Sequence, residues 1–425
     1  MRFLLIAPVL LIASSVWAGS TSIAPTTTLT AETGNNTSAS SAFATQSNGN
    51  LGATNVSKVA ISTALPLGPT TPVYAHFMGW FGQSNHMNVG YTSDDPAQIQ
   101  RQVSDALSRG ISGFILDWYG PYNAMPNSTL LRLKAEAESR SGAFTFAVTY
   151  DGGALSACHS TAGCDLTQQA ISDLKWAYQN AEQSPAYMRI SGRPVVMFFA
   201  PDRYGTLNWS LIQSSIPGNP LFIFQNNGGF SHSASSGSFS WIQINTSNAN
   251  DWSQAYLDSF YSTALTYPAE FPYLTGYKGF NDSLASWGAN RVMNQNCGQT
   301  WLNTLHETAK FTSNSAAGVQ LVTWNDYEEG SEIETGIDGC TAVSASVSRS
   351  VLSWWLSAGN ASMIDHYTIF ISTDGQNLMS LGNKPASTAS LDLSTLNLGR
   401  GTYTLFVKAV GKPSITNHLS GPVKF

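Results

Sequence analysis

From Pro72 onward the chain alternates short apolar runs, rich in β-branched and aromatic residues, with longer stretches whose apolar positions recur every three or four residues. The runs at 73–78, 113–117, 144–150, 194–199, 221–225, 239–244, 274–280 and 318–323 predict eight strands. Their near-continuous apolar character suits strands buried on both faces of a parallel sheet. Between them, 95–109, 127–139, 165–179 and 299–311 read as helices. In the first, Ile99, Val103 and Leu107 fall at i, i+4 and i+8, a stripe to lay against a sheet, and Gly110 closes it. Eight strands alternating with helices over residues 71–340 predict an α/β fold, a (β/α)8 TIM barrel. The helical pattern is weakest between the fifth and seventh strands.

Past Cys340 the helical period vanishes. Short alternating runs at 348–355, 363–372, 378–381, 389–392, 401–410 and 422–425, separated by turn signals such as Thr373-Asp374-Gly375, predict a small all-β sandwich over residues 341–425. The segments HYTIFIS and GTYTLFVKAVG resemble paired strands of a fibronectin type III or related immunoglobulin-like module. Trp354 and Trp355 fit either its core or a flat sugar platform.

The N-terminus carries Arg2, an apolar stretch and small residues ending at Ala18, the pattern of a secretory signal peptide over 1–18. Residues 19–70, dominated by Ser, Thr, Ala, Asn and Gly, offer too little apolar surface to offset ordering entropy and read as a linker. Export makes disulfides the expected state of the four cysteines, with Cys158–Cys164 and Cys297–Cys340 the favoured pairing. A secreted protein, extracellular or periplasmic, follows.

Only 11% of the 425 residues are charged, the net charge is −6, and Lys and Arg form no run. Nothing recommends nucleic acid as a partner, and no later segment is apolar and long enough for a membrane anchor. HExxH, GxxxxGK, a strand-linked GxGxxG and GxSxG are all absent, so neither metal, nucleotide cofactor nor serine nucleophile is expected.

Against that low charge, the eighth strand opens into LVTWNDYEEG, with Asp326, Glu328 and Glu329 crowded behind Trp324. Barrel enzymes keep their chemistry just past strand ends, so Asp326 and Glu329 are the candidate catalytic pair. An ordinary solvated acidic loop is the alternative. Other strand ends offer groups for sugar hydroxyls and rings: Asp117, Trp118 and Tyr119; Tyr150 and Asp151; Asn226 and Asn227; Asp282; and Trp324 and Glu328 themselves. Helix capping or core packing would account equally for any one of them. His76, inside the first strand, and His86, in the following loop, complete the set.

VYAHFMGW at the first strand, YKGFNDSLASWG near the seventh and VTWNDYEEG at the eighth together resemble the mutanase-type α-1,3-glucanase family of glycoside hydrolases, over roughly residues 73–338. A related set, the endo-α-mannosidase family, has the same carboxylate spacing in a WNE-x-x-E segment. The chain departs from the mutanase pattern after Tyr327, where Glu328-Glu329-Gly330-Ser331 replaces Gly-Glu-Ser-His, and in FILDWYGP at the second strand. The resemblance implies an inverting hydrolase with Asp326 as base and Glu329 as acid, acting on a polysaccharide; a monomer is expected. An α-mannoside or other α-glycan hydrolase, and a non-catalytic carbohydrate-binding surface protein, are the alternatives.

Overall fold

The computed structural model describes residues 55–425 apart from 246, 248–250, 314 and 376. The expected signal peptide and most of the expected linker lie outside them. Eight parallel strands form the barrel: β1 (Val73–Met78), β2 (Gly113–Trp118), β3 (Thr145–Asp151), β4 (Arg193–Phe199), β5 (Leu221–Gln225), β6 (Gly237–Phe239), β7 (Tyr273–Gly276) and β8 (Gly318–Leu321). β1 pairs with both β2 and β8, and the β3–β4 pairing, from Val148↔Val196 to Asp151↔Phe199, completes the ring. A closed barrel leaves no strand edge open.

Helices α1 (Pro96–Ser108), α2 (Ala124–Ser139), α3 (Leu166–Ala177), α4 (Trp209–Ser215), α5 (Gln254–Leu265) and α6 (Gln299–Glu307) pack outside it. α1 begins where Asp95 Oδ1 accepts from Ala97 N at 2.9 Å and Pro96 takes the first helical position. Its stripe of Ile99, Val103 and Ala106 is buried, and the chain leaves through Gly110 at φ +78°.

Around the barrel, three expectations need correction. β6 is three residues long rather than 239–244, because after Ser240 donates to the Tyr273 carbonyl the chain turns away, with Trp241 N bonded to the Tyr256 hydroxyl. β7 stops at Gly276, and Phe280–Asn281 instead pairs antiparallel with Val292–Met293 to form a rim hairpin. The last stretch read as linker is packed, since Val56, Ile61 and Leu65 are buried and Ser57 N bonds the Ile415 carbonyl at 2.9 Å. Regularly spaced apolar residues among the Ser and Thr of 55–65 supply that surface.

The C-terminal unit is a two-sheet sandwich. β9 (Ala342–Ser348), β10 (Val351–Ala358) and β13 (Ser390–Asp392) face β11 (Ile364–Ser372), β12 (Met379–Pro385) and β14 (Thr404–Gly411) across Leu352, Trp354, Ile369 and Leu405. The expected strand at 348–355 straddles the β9–β10 hairpin. Trp354 is core, packed on Tyr367 at 5.7 Å, while Trp355 points outward, as strand alternation requires. The sandwich is fastened to the barrel by Trp301 Nε1 donating to the Pro413 carbonyl at 2.9 Å and by mutual backbone bonds between 337 and 414–416. Both disulfides have the expected pairing, Cys158–Cys164 and Cys297–Cys340. Among the described residues no helix is long and apolar enough to cross a membrane.

Candidate active site

Every barrel strand sends a residue to one cleft at the C-terminal mouth. Its centre, about 270 Å3, is walled by His76 from β1, Asp117 from β2, Asp151 from β3, Phe199 from β4, Trp241 after β6, Arg291 after β7, and Asp326 and Glu329 after β8. A larger arm of about 710 Å3 shares Phe199, Trp241, Arg291 and Glu329 with the centre and continues over Gln225 and Asn226 at the end of β5, Gln243 and Asn245. A second arm of about 470 Å3 shares Trp80, Tyr119, Arg203 and Trp287 and reaches His86. The cleft is therefore open on both sides of its acidic centre.

The eighth strand positions the pair. Asp326 N donates to Thr323 Oγ1 and Glu329 N to Asp326 Oδ1, both at 2.9 Å, which winds the loop into one tight turn. Burial pushes Asp326 well above the usual carboxylate range, and the neighbouring Glu329 adds to it. Burial likewise raises Glu329 to about 7, against the pull of Arg291. Two further carboxyls face them. Asp117 is raised by burial and then by Asp151; Asp151 is raised to about 6 by burial, offset by the Gly153 N–H, Arg203 and Tyr119. The Tyr119 phenol lies beside both aspartates and favours their ionised forms. His76, which stands edge-on to Trp241 at 4.7 Å, is held neutral by burial, its value lowered to about 3. Four carboxyls thus share a chamber with two guanidinium groups, and like charges crowded in a low dielectric hold protons more tightly than exposed carboxyls do.

Of the residues expected to bind substrate, Asp117, Tyr119, Asp151, Asn226, His76 and His86 line the cleft. Others do not reach it. Trp118 is sealed in the core against Trp176, its indole N–H on Asn127 at 3.2 Å. Tyr150 points outward to Asp173 at 2.8 Å, Asn227 bonds Ser259 on α5 at 2.7 Å, and Trp324 is buried under the Arg109 guanidinium. Asp282 accepts from Arg291 N at 2.6 Å and Nε at 2.8 Å, so it acts on the cleft by fixing Arg291. Glu328 turns away from the centre, binding His86 Nδ1 and Met87 N at 2.9 Å each.

Sequence reasoning missed Trp80, Phe199, Arg203, Trp241, Trp287 and Arg291. Trp80 and Trp287 stand inside the motifs VYAHFMGW and YKGFNDSLASWG, where they could have been found; the arginines carried no local signal.

Neither a protein-family model nor a curated protein matches the chain. Solved structures that superpose on it include the GH99 endo-alpha-mannosidase from Bacteroides thetaiotaomicron, at 14% identity and TM-score 0.48, covering 62% of this chain and 87% of that one. The same enzyme in complex with BIS-TRIS-propane gives a TM-score of 0.49 over the same shares at 14% identity. A glycoside hydrolase-like protein is 18% identical at TM-score 0.47, over 62% of this chain and 86% of that one. The barrel assignment itself rests on the strand pairing described above.

Proposed function

We propose that the protein is a secreted glycoside hydrolase cleaving α-1,3-glucan within the chain, with Glu329 as general acid and Asp326 as general base. The observation that carries this reading is the Glu329 carboxyl, held near 7 beside Asp326 at the middle of a cleft open at both ends. A group poised near neutrality can hold a proton until the glycosidic oxygen needs it. Once Glu329 is protonated, the largest charge opposing ionisation of Asp326 is gone, and the Glu329 N–H on Oδ1 favours the carboxylate.

In the proposed step a water oxygen attacks the anomeric carbon and gives its proton to Asp326. The bond from that carbon to the glycosidic oxygen breaks, and the oxygen takes the proton of Glu329. Inversion follows from the single displacement and from the mutanase resemblance. Asp117, Asp151 and Tyr119 would hold ring hydroxyls, and the amides of Gln225, Asn226 and Gln243 would hold the chain along the larger arm. Two open arms favour attack in the interior of a polymer. The layout goes with this reading: signal peptide 1–18, linker 19–70 with its last part docked, barrel 71–340 and a fibronectin type III-like module 341–425, acting as a monomer.

Reducing-sugar release from insoluble α-1,3-glucan, with yeast mannan, dextran and starch in parallel, tests the substrate. Release from α-1,3-glucan alone is expected. Release from mannan instead would keep the mechanism and replace the substrate; no release from any polymer would leave a carbohydrate-binding barrel.

A further inference from the structure

The rim loop between Asn281 and Val292 carries Trp287, an aromatic side chain 48% exposed in the mouth of the cleft. Single exposed aromatics on a surface are ordinary, but this one is built in. Trp80 stands edge-on to it at 6.2 Å and His86 at 5.6 Å, while Trp80 and His86 stack on each other at 5.0 Å. Glu328 fixes that cluster from beneath through His86 Nδ1 and Met87 N. Trp287 and Glu329 both line the centre, where the indole beside the carboxyl favours its ionised form, and Trp287 also lines the smaller arm.

We propose that Trp287 is a positioning residue with two separable tasks: its open face carries a pyranose ring of the substrate in the smaller arm, and its N–H orients the Glu329 carboxyl. Glu328, clamping His86, holds the ring in place for the sugar. This rests on the glycosidase reading. An aromatic face is suited to the C–H face of a sugar, and the Trp287 ring stays half-exposed at the mouth beside these neighbours. Glu329 is also faced by Arg291 and Asp282 from the rim hairpin, by Asp326 and Glu328 from its own loop and by Asp117 from β2. The Trp287 N–H and Arg291 are the groups that favour its ionised form. Removing the indole N–H alone therefore moves the acid to a higher pKa.

The test is kinetic, on whichever polymer the wild type cleaves, with Trp287→Phe, Trp287→Ala and Glu328→Gln. Trp287→Phe keeps a ring face and loses the N–H, so the alkaline limb of its kcat profile shifts to higher pH while KM changes by less than about threefold. Trp287→Ala shifts the same limb and also raises KM roughly tenfold, and Glu328→Gln raises KM in the same direction. An unmoved limb in Trp287→Phe, or an unmoved KM in Trp287→Ala, overturns the proposal; an exposed side chain at this position leaves folding intact, which circular dichroism verifies. Affinity electrophoresis through gels holding the same four polymers separates the two readings. A wild type retarded by a polymer it does not cleave, with retardation lost in Trp287→Ala, keeps the platform and removes the hydrolase; a variant retarded like wild type removes the platform.

Discussion

Glu329 N donates to Asp326 Oδ1 at 2.9 Å, so the backbone of one acidic residue holds the carboxylate of the other. That bond is the geometry of a capping turn, and it explains why carboxyls three residues apart share one wall of a cleft.

The pH dependence of turnover follows from Glu329. A general acid must be protonated, and its carboxyl is raised to about 7 mainly by burial, so kcat should fall as pH rises through about 7. Arg291 pulls that value down, and Arg291→Met should therefore move the falling limb to higher pH. A pH–rate profile of both proteins checks the shift; an alkaline limb unchanged in the variant would detach Arg291 from the acid.

Stability should decline from pH 5 to pH 8. Burial raises Asp151 and Asp173 to about 6, Glu334 to about 7 and Glu182 to about 8. Groups raised in the folded state bind protons more tightly there than in the unfolded chain. Their stabilisation is complete below the unfolded values and is lost as pH rises through the folded ones. Glu182, whose two oxygens have no hydrogen-bond partner, should dominate the upper end. Thermal melts at half-unit intervals should show Tm falling with pH, and less steeply above pH 7 in Glu182→Gln. A flat or rising Tm would contradict the assignment.

The two disulfides should differ in weight. Cys297–Cys340 spans 43 residues and Cys158–Cys164 spans 6, so on loop-closure entropy the longer one stabilises by roughly 2 kcal/mol more. Denaturant unfolding of Cys297→Ser/Cys340→Ser against Cys158→Ser/Cys164→Ser measures the difference, and equal losses would refute it.

In the sandwich, Trp354→Ala should cost about 3–5 kcal/mol, since it empties the core against Tyr367. Trp355→Ala, on the outer face of the same strand, should cost less than about 0.5 kcal/mol. Chemical denaturation resolves the two.

The sequence made the eight strands legible because buried parallel strands are continuous apolar runs; β1 and β5 fall at the expected residues. The rim was less legible. β6 and β7 end early because the polar and aromatic residues after them, Trp241 and Gln243 among these, serve as cleft wall rather than ladder. The candidate site was read in consecutive residues, whereas a strand turns successive side chains to opposite faces. Asp117 and Tyr119 therefore enter the cleft while Trp118 between them packs outward, and Asp151 enters while Tyr150 does not. Asn226 and Asn227 part for a different reason: the strand ends at Gln225, Asn226 turns at φ +64°, and Asn227 opens a short 3-10 turn from which it ties down α5. Arg203 and Arg291 lie in loops with no periodic pattern, and only folding brings them beside the carboxyls.

The most direct measurement compares initial rates of wild type, Asp326→Asn, Glu329→Gln and Glu328→Gln on α-1,3-glucan. Asp326→Asn and Glu329→Gln should each lose about 10²–10⁴-fold in kcat, whereas Glu328→Gln should keep turnover and bind substrate more weakly. A Glu329→Gln variant as fast as wild type, or a Glu328→Gln variant as dead as Asp326→Asn, would contradict the assignment of the pair.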